Sequence, residues 1–151
     1  MAGLWFEQFT IGQEFTHEIR RTVTEADNVW FCGATYNPAA IHIDAEYCKG
    51  TEFGKPLVNS IFTLGLVIGL SVQDTTLGTT IANLGMNDVR FPNPVFAGDT
   101  IRATTTVLES RASKSRPGAG IITFHHQGFN QRDDEVATLT RQALMLRKAQ
   151  P

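Results

Sequence analysis

The chain lacks an excess of charge of either sign. Its 151 residues include 13 Lys and Arg against 15 Asp and Glu, which gives a formal net charge of −2. Nucleic acids and anionic membranes attract proteins that carry an excess of positive charge, and this composition supplies none. We therefore expect no nucleic-acid or membrane partner, and instead a small molecule or another protein.

Cysteine is also scarce, since Cys32 and Cys48 are the only two. They form no CxxC pair and no cysteine–histidine spacing typical of zinc, and His125 and His126 would point to opposite faces of a predicted strand. We expect no metal site and interpret both cysteines as reduced packing residues. The first nine residues do not resemble a signal peptide, so we expect a cytoplasmic protein.

Motifs for several reaction classes are missing too. The sequence has no GxGxxG, no Walker-type loop and no GxSxG elbow. These motifs bind a dinucleotide, bind a nucleoside triphosphate and present a catalytic serine, respectively. Nucleotide hydrolysis and serine-type acyl transfer therefore have no support in the sequence.

The most apolar stretch, LVNSIFTLGLVIGLSV, spans residues 57–72. As a helix it would be about 24 Å long, which is short of the hydrocarbon core of a bilayer at about 30 Å. Apolar residues fall on all its faces, which predicts one helix buried on every side with Pro56 in its first turn. We expect that Leu66→Asp in this helix prevents folding.

Two short helices are predicted before this buried helix. Thr24 and Asp27 form an acidic variant of the capping box, which begins a helix that ends near Gly33. Asp44 caps a second short helix that ends at Gly50.

Strands are predicted at the start of the chain and again after the buried helix. Residues 15–23 alternate as an early strand, while residues 34–43 show no period and are predicted as a loop. Four later stretches are rich in β-branched residues and separated by turn signals: 79–91, 99–113, 120–130 and 136–147.

The order of these elements predicts an α+β domain. Helices followed by an uninterrupted run of strands favour an antiparallel β-sheet wrapped around one long buried helix, with short helices before it, in a single domain of residues 1–151. A curved open sheet has two unpaired edges, which tend to pair with another chain. We therefore expect a homodimer whose sheets join edge to edge, or a higher homo-oligomer.

The main candidate for chemistry is the segment NPAAIHID, residues 37–44. His42 can take or give a proton near neutral pH, because the unperturbed pKa of histidine is close to that range. Asn37 can hold a water or a carbonyl by hydrogen bonding. A structural histidine bonded to the backbone is the alternative, and Asp44 is either a helix cap or a second acid.

A resemblance to a known family rests on three stretches: this segment, the buried helix and FPNPVFAGDT at residues 91–100. They resemble the MaoC-like acyl-CoA hydratases of the hot-dog fold, and the resemblance covers about residues 15–147. The family's loop reads G-D-x-N-P-L-H, in which Asp and His form the catalytic dyad. Its His falls on His42 and its Asp on Asn37, while its Asn and Pro fall on Ala39 and Ala40. The chain therefore resembles a branch with Asn in that place, which includes mesaconyl-, methylfumaryl- and itaconyl-CoA hydratases.

The resemblance implies hydration of a 2-enoyl-CoA, or the reverse dehydration, with a short acyl group that is branched and dicarboxylic in that branch. His42 would act as the base, and Asn37 would orient the water or the substrate. Asn59 and Ser60 would supply the oxyanion site at the start of the buried helix, or would only satisfy the helix end.

The coenzyme A part of the substrate is assigned to a basic run. Arg111, Lys114 and Arg116 would contact its phosphates, unless they form only a solvated face. Coenzyme A enters as part of the substrate, and no other cofactor is expected.

Two other functions are compatible with the same fold. The first is a non-catalytic acyl-CoA-binding or accessory subunit, because the acid of the dyad is missing. The second is a hot-dog thioesterase, for which a carboxylate on the central helix would be expected. Residues 57–72 contain no acid, which disfavours the thioesterase.

Overall fold

Six strands form one antiparallel sheet in the computed structural model, which describes residues 3–148. The strands are β1 (Glu14–Thr16), β2 (Arg21–Thr22), β3 (Thr80–Arg90), β4 (Thr100–Ala112), β5 (Ala119–Phe129) and β6 (Glu135–Leu146). Their order is β1-β4-β5-β6-β3, and β2 also pairs with β4. The ends of the predicted domain, residues 1–2 and 149–151, lie outside the described residues.

Four α-helices accompany the sheet. They are α1 (Glu25–Ala34), α2 (Ala40–Ile43), α3 (Ala45–Cys48) and α4 (Ser60–Thr75). Three short helices thus precede one long helix that packs on an antiparallel sheet, so the predicted α+β architecture is confirmed. None of the helices in residues 3–148 combines the length and the apolarity needed to cross a membrane.

The two predicted helix caps are present. Thr24 Oγ1 accepts a hydrogen bond from the backbone N–H of Asp27 at 3.2 Å, and Asp27 Oδ2 accepts one from the N–H of Thr24 at 2.8 Å. Asp44 Oδ1 accepts one from the N–H of Tyr47 at 2.9 Å, at the start of α3. These bonds satisfy amides that have no partner within their own helix, which sets where α1 and α3 begin.

The main core lies between α4 and the sheet. Leu64, Val67 and Leu70 of α4 pack against buried side chains of the strands and loops, namely Val23, Val58, Val95, Ile101, Ala103, Val136, Ala137 and Leu139. Full burial of one such large apolar side chain contributes roughly 1.5–3 kcal/mol. This contact fixes the orientation of α4 and hence the place of its N-terminus.

The prediction that α4 is buried on every side was wrong for the single chain. Ile61 is 57% exposed, Gly65 and Gly69 are exposed, and Leu66 is only half-buried. The sheet covers one side of the helix, and no strand formed by residues 3–148 covers the opposite side. The effect of Leu66→Asp stays a prediction, but Val67, which is fully buried, is the stricter test of the core.

The predicted start of the long helix was three residues too early. The backbone of Leu57 and Val58 is not helical, because the N–H of Leu57 donates to Ile41 O and the N–H of Val58 donates to Val95 O. The helix begins only after Asn59, so Pro56 lies outside its first turn. It also continues to Thr75, beyond the last strongly apolar residue.

Two other local predictions were also wrong. The expected loop at residues 34–43 contains α2, a single turn whose end is closed by the N–H of Asp44 donating to Ala40 O. The expected strand at residues 15–23 is divided into β1 and β2, because its pairing with β4 shifts between them. Thr16 pairs with Thr104 and Arg21 with Ile101, so five positions of this segment lie opposite three of β4.

One edge of the sheet is open to solvent. All residues of β3 except Ala82 are exposed, including Ile81, Leu84, Met86 and Val89. Exposed apolar edge strands tend to pair with another chain. The edge-to-edge homodimer stays a prediction, and β3 is the strand that would form it.

Candidate functional site

A cleft of about 360 Å³ lies at the N-terminus of α4. Four predicted site residues line it together: Asn37, His42, Asn59 and Ser60. Phe31 from α1, Thr35, which directly follows α1, and Ile61 from α4 complete the lining. Residues from three separate parts of the sequence therefore converge at the start of the long helix.

His42 is held by one ring nitrogen. Its Nδ1 lies 2.7 Å from the backbone oxygen of Leu57. A carbonyl oxygen only accepts hydrogen bonds, so Nδ1 carries a hydrogen, and Nε2 is the ring nitrogen that holds the lone pair whenever the imidazole is neutral. The backbone-bonded histidine and the base, which the sequence left as alternatives, are thus compatible in one geometry.

Asn37 closes a turn at the edge of the same cleft. Its Oδ1 accepts a hydrogen bond from the N–H of Ala39 at 3.1 Å, and its own N–H donates to Cys32 O at 2.9 Å. These contacts fix the side-chain oxygen in a local turn. The Nδ2 group, which has no hydrogen-bond partner among residues 3–148, is the part of the side chain that can donate to a guest molecule.

Asn59 and Ser60 differ in what their groups can do. The Oδ1 of Asn59 caps α4 by accepting from the N–H of Ile61 at 3.0 Å, and the N–H of Asn59 donates to Asn28 Oδ1 at 2.9 Å. Asn59 is therefore occupied with the helix end and is 6% exposed. The N–H of Ser60 has no hydrogen-bond partner within the described part of the chain, and it belongs to the first turn of α4, where negative charge is favoured.

Comparison with known proteins identifies the family to which this fold and cleft belong. Residues 6–127 match the family model described as "MaoC like domain". The chain belongs to the MaoC-like family.

Two similar relatives are enzymes of CoA thioester metabolism by name. The beta-methylmalyl-CoA dehydratase of Chloroflexus aurantiacus is 31% identical over 149 residues, which are 99% of this chain and 42% of that protein. The mesaconyl-CoA hydratase of Cereibacter sphaeroides is 29% identical over 147 residues, which are 97% of this chain and 42% of that protein. This MaoC-like chain thus spans less than half the length of these relatives.

Solved structures agree on the fold. The monoamine oxidase regulatory protein of Archaeoglobus fulgidus matches with a TM-score of 0.85 and 32% identity, over 99% of this chain and 98% of that one. A Mycobacterium tuberculosis protein with a double hotdog fold matches with a TM-score of 0.85 and 23% identity, over 99% of this chain and 46% of that one. The predicted hot-dog fold is confirmed.

The basic run lies away from the cleft of this MaoC-like domain. Arg111 is the second-last residue of β4, and Lys114 and Arg116 follow in the exposed turn before β5. That turn is at the C-terminal end of α4, since the backbone of Gly118 and of Thr79 hydrogen-bonds to the end of β6. A helix of 16 residues is about 24 Å long. Within one chain, the structure does not bring these residues together with His42.

An apolar groove of about 400 Å³ continues from the cleft along the open side of α4. It shares Phe31 and Ile61 with the cleft and is further lined by Arg21, Asp27, Trp30, Phe62, Gly65, Leu66 and Gly69. Arg21 donates to Asp27 at 2.7 Å and lowers the pKa of Asp27 to about 2. The groove therefore combines an apolar floor with one ion pair at its rim.

A network of hydrogen-bonded polar side chains, here called the buried polar network, crosses the sheet at the other end of α4. Arg141 Nε donates to His126 Nε2 at 3.0 Å, so His126 carries its hydrogen on Nδ1 and donates to Thr105 Oγ1 at 2.8 Å. Thr105 Oγ1 also lies 2.8 Å from His17 Nε2, and His17 Nδ1 lies 2.8 Å from Asp74 Oδ2. The buried polar network thus links the guanidinium of Arg141 to the carboxylate of Asp74 on α4.

Burial lowers the pKa values of two residues in the buried polar network. Burial, and then the nearby Arg141, lower the pKa of His126 well below its usual value. Burial also lowers the pKa of Arg141 to about 10.

His125, the neighbour of His126, lies on the opposite face of β5, where its Nε2 is 3.4 Å from Thr138 Oγ1. The residues between 3 and 148 contain no cluster of three or more potential metal ligands.

Both cysteines are free and buried, as predicted. Cys32 Sγ lies 3.9 Å from both Asn28 Oδ1 and Asn59 Nδ2, and Cys48 Sγ lies 3.3 Å from Ile41 O. They are therefore packing residues with weak polar contacts, close to the segment that carries His42.

Sequence reasoning missed Phe31, Thr35 and Ile61 as lining residues and Asn28 as a polar contact of the site. Phe31 and Ile61 carry no signal, because aromatic and aliphatic residues on a helix are usually core, and Thr35 is a polar residue at a helix end, which is common on any surface. Asn28 carries a weak signal, since Asn inside a helix is unfavourable unless its side chain has partners.

Proposed function

We propose that this MaoC-like chain is an acyl-CoA hydratase or dehydratase, which adds water across the double bond of a 2-enoyl-CoA or removes it. The observation that carries the proposal is the 2.7 Å contact between His42 Nδ1 and Leu57 O, because it leaves Nε2 as a base beside the N-terminus of α4. The names of the two relatives support the same reaction type.

In the hydration direction, His42 Nε2 takes a proton from water while the water oxygen bonds to C3 of the enoyl group. The electron pair of the double bond moves toward the thioester, and negative charge develops on its oxygen. The N–H of Ser60 stabilises that oxygen. The imidazolium then returns the proton to C2, so that one water is added and the enzyme is unchanged.

Asn37 replaces the acid that the family's loop usually has. Its Nδ2 can hold the water or the substrate, but an amide does not give up a proton at neutral pH. His42 therefore serves both proton steps in this proposal. Asp44 is not available as the second acid, because its side chain caps α3.

The test is the loss of the conjugated thioester absorbance of crotonyl-CoA and mesaconyl-CoA, with wild type compared with His42→Ala. We expect hydration by the wild type and a loss of about 100-fold or more in His42→Ala, since general acid–base catalysis contributes about 10²–10⁴-fold. Equal rates in the two proteins would contradict the proposal.

The same experiment separates the alternatives. Binding of the CoA esters with no turnover in either protein would identify an accessory subunit, which the Asn at position 37 favours. Release of free thiol without hydration would identify a thioesterase. The only acid on α4 is Asp74, near the far end of the helix and 2.8 Å from His17, so the thioesterase stays disfavoured.

For the acyl group, we propose a short branched dicarboxylic chain. The names of the relatives support it, and Arg21 supplies a cation at the rim of the groove along α4. Because Arg21 is already paired with Asp27, a substrate carboxylate would have to compete for it. A higher kcat/KM for mesaconyl-CoA than for crotonyl-CoA is the expected result, and the reverse preference would contradict it.

We further propose that the working form is a cytoplasmic homodimer with no cofactor other than the coenzyme A of its substrate. The exposed apolar edge of β3 supports the dimer, and the two free cysteines support a reducing compartment. Arg111, Lys114 and Arg116 stay proposed contacts of the CoA phosphates. Because they lie at the far end of α4, they would serve a CoA that extends along the helix or one bound to a neighbouring protomer.

A further inference from the structure

We propose that Asn28 is a positioning residue, which fixes both the imidazole of His42 and the first turn of α4. It lies in α1 and is 3% exposed. It is not among the residues that line the cleft. The inference rests on the proposed function in its kinetic part, but its structural part can be tested without any substrate.

Each polar group of the Asn28 side chain is bonded to the frame of the site. Its Nδ2 donates to the backbone oxygen of His42 at 2.9 Å and to that of Leu57 at 3.1 Å. Its Oδ1 accepts from the N–H of Asn59 at 2.9 Å. One amide therefore joins α1, the segment of the base and the cap of α4.

The orientation of this amide is determined by its partners. The two carbonyl oxygens only accept hydrogen bonds and the N–H only donates, so Nδ2 must face the carbonyls and Oδ1 the N–H. Asp has nearly the same shape, but it would place an oxygen against two carbonyl oxygens. No other side chain of this size supplies two donors and one acceptor at these places.

The carbonyl of Leu57 connects Asn28 to the chemistry. This oxygen accepts from Asn28 Nδ2 and also from the Nδ1–H of His42, at 2.7 Å. Asn28 thus holds in place the acceptor that keeps the hydrogen on Nδ1 and the lone pair on Nε2. A shift of the Leu57 carbonyl would weaken that hydrogen bond and allow the hydrogen to move to Nε2, which removes the base.

The bond to Asn59 acts on the other half of the site. Because Asn28 accepts from the N–H of Asn59, and Asn59 in turn accepts from the N–H of Ile61, the amide between them belongs to Ser60. Asn28 therefore also sets where the Ser60 N–H lies relative to His42. Such distances matter, since a misplacement of about 1 Å can cost about 100-fold in rate.

Nitrogen-15 NMR of histidine-labelled protein tests the structural part. We expect His42 of the wild type in the Nδ1–H form, and a rise of the Nε2–H form in Asn28→Ala. The His42→Ala spectrum assigns the signal, and His126, which is held in the Nδ1–H form by Arg141, is the internal standard that should not change. This readout is independent of substrate.

Kinetics tests the catalytic part. We expect kcat of Asn28→Ala to fall by about 10- to 100-fold, because the base and the oxyanion donor are displaced, while KM changes much less. If His42→Ala is as active as the wild type, the proposed function fails. The tautomer result then still decides whether Asn28 positions the imidazole.

Asn130→Ala is the matched control. Asn130 is 1% exposed, and its side chain also makes three hydrogen bonds, to Arg132 N, Asp134 N and Asp134 Oδ2, in the turn between β5 and β6. It should lose comparable stability with unchanged kcat and an unchanged His42 signal. If Asn28→Ala does not fold, Asn28→Ser, which keeps one donor, gives the same comparison. A His42 signal and a kcat that respond no more than in Asn130→Ala would overturn the inference.

Discussion

At the scale of the residue, Ser60 and Asn59 show how two neighbours can have different roles. The side chain and the amide of Asn59 are both used to hold the helix end, whereas the amide of Ser60 has no partner in the part of the chain that the structure describes. An amide in the first turn of a helix is suited to an oxyanion because it lies at the positive end of the helix dipole.

This difference gives a sharp substitution. Ser60 is the first residue of α4, where proline is tolerated, and Asn59 has a ψ of 127°, which suits the residue before a proline. Ser60→Pro therefore removes the N–H and preserves the helix. We expect kcat for hydration to fall by about 10²–10³-fold, the usual effect of losing one oxyanion donor.

Ser60→Ala is the control for that experiment, because it removes the hydroxyl and keeps the amide. It should remain close to the wild type in kcat, and circular dichroism should show unchanged helix content in both variants. Wild-type turnover by a folded Ser60→Pro would exclude this amide as the oxyanion donor.

At the scale of the elements, the buried polar network from Arg141 to Asp74 connects three strands and the segment after β1 to α4 by hydrogen bonds. It predicts how stability depends on pH. The folded protein keeps His126 neutral, because its pKa is well below the usual 6.5, whereas the unfolded chain binds a proton below that pH. The contribution of His126 to the free energy of unfolding is therefore complete above about pH 6.5 and is lost as the pH falls.

The measurement is the free energy of unfolding by urea at a series of pH values. We expect a decrease of up to about 1.4 kcal/mol for each pH unit below 6.5 from this group, until its folded pKa is reached. His126→Gln should flatten that slope, because Gln stays neutral and can still accept from Arg141 and donate to Thr105. His125→Gln, on the opposite face of β5, should keep it, and equal slopes in all three proteins would refute the prediction.

Asp27 predicts a further loss of stability at more acidic pH. Its folded pKa of about 2 is below the ordinary 3.8, mainly because of the hydrogen bond from Arg21. The stability from this carboxylate is present above about pH 4 and is lost as the pH falls toward 2. The effect of Asp27 is confined to pH values below about 4, so the slope between about pH 6.5 and 4 reports on His126 and the buried polar network.

At the scale of the whole molecule, the open edge of β3 predicts assembly. Light scattering after size exclusion should give twice the mass of the chain. Leu84→Lys with Met86→Lys should produce monomers, because charges on an edge strand oppose pairing with another chain. Leu108→Lys, an equally exposed apolar position on the inner strand β4, is the control and should leave the dimer intact.

A monomeric wild type would contradict this prediction. A dimer that survives both lysines would show that another surface, such as the open side of α4, forms the contact. Retention of activity by the monomeric variant would show that one chain holds a complete site.

The parts of the fold that could be predicted from the sequence depend on local signals. The caps at Thr24 and Asp44 involve residues three positions apart, and the four late strands were placed within one or two residues of their ends because β-branched runs alternate with clear turns. The resemblance of residues 37–44 to the family's loop placed Asn37 and His42 at one site.

The parts that could not be predicted depend on contacts between distant segments. The start of α4 is set by bonds from Leu57 and Val58 to Ile41 and Val95, which no local pattern contains. The distance between the basic run and His42 follows from the direction of β4 and β5 along α4. The role of Asn28 requires three partners from two other segments.

The sequence by itself determined the class of fold, the family and the residue that can act as a base, since hydrophobic period, turn composition and motif spacing are properties of neighbouring residues. Only the tertiary structure decided which nitrogen of His42 is available, which amide of α4 is open and which buried side chain holds both. The physical reason is that a hydrogen bond depends on the placement of both partners within a few tenths of an ångström, and here the partners come from α1, the segment of His42 and the start of α4.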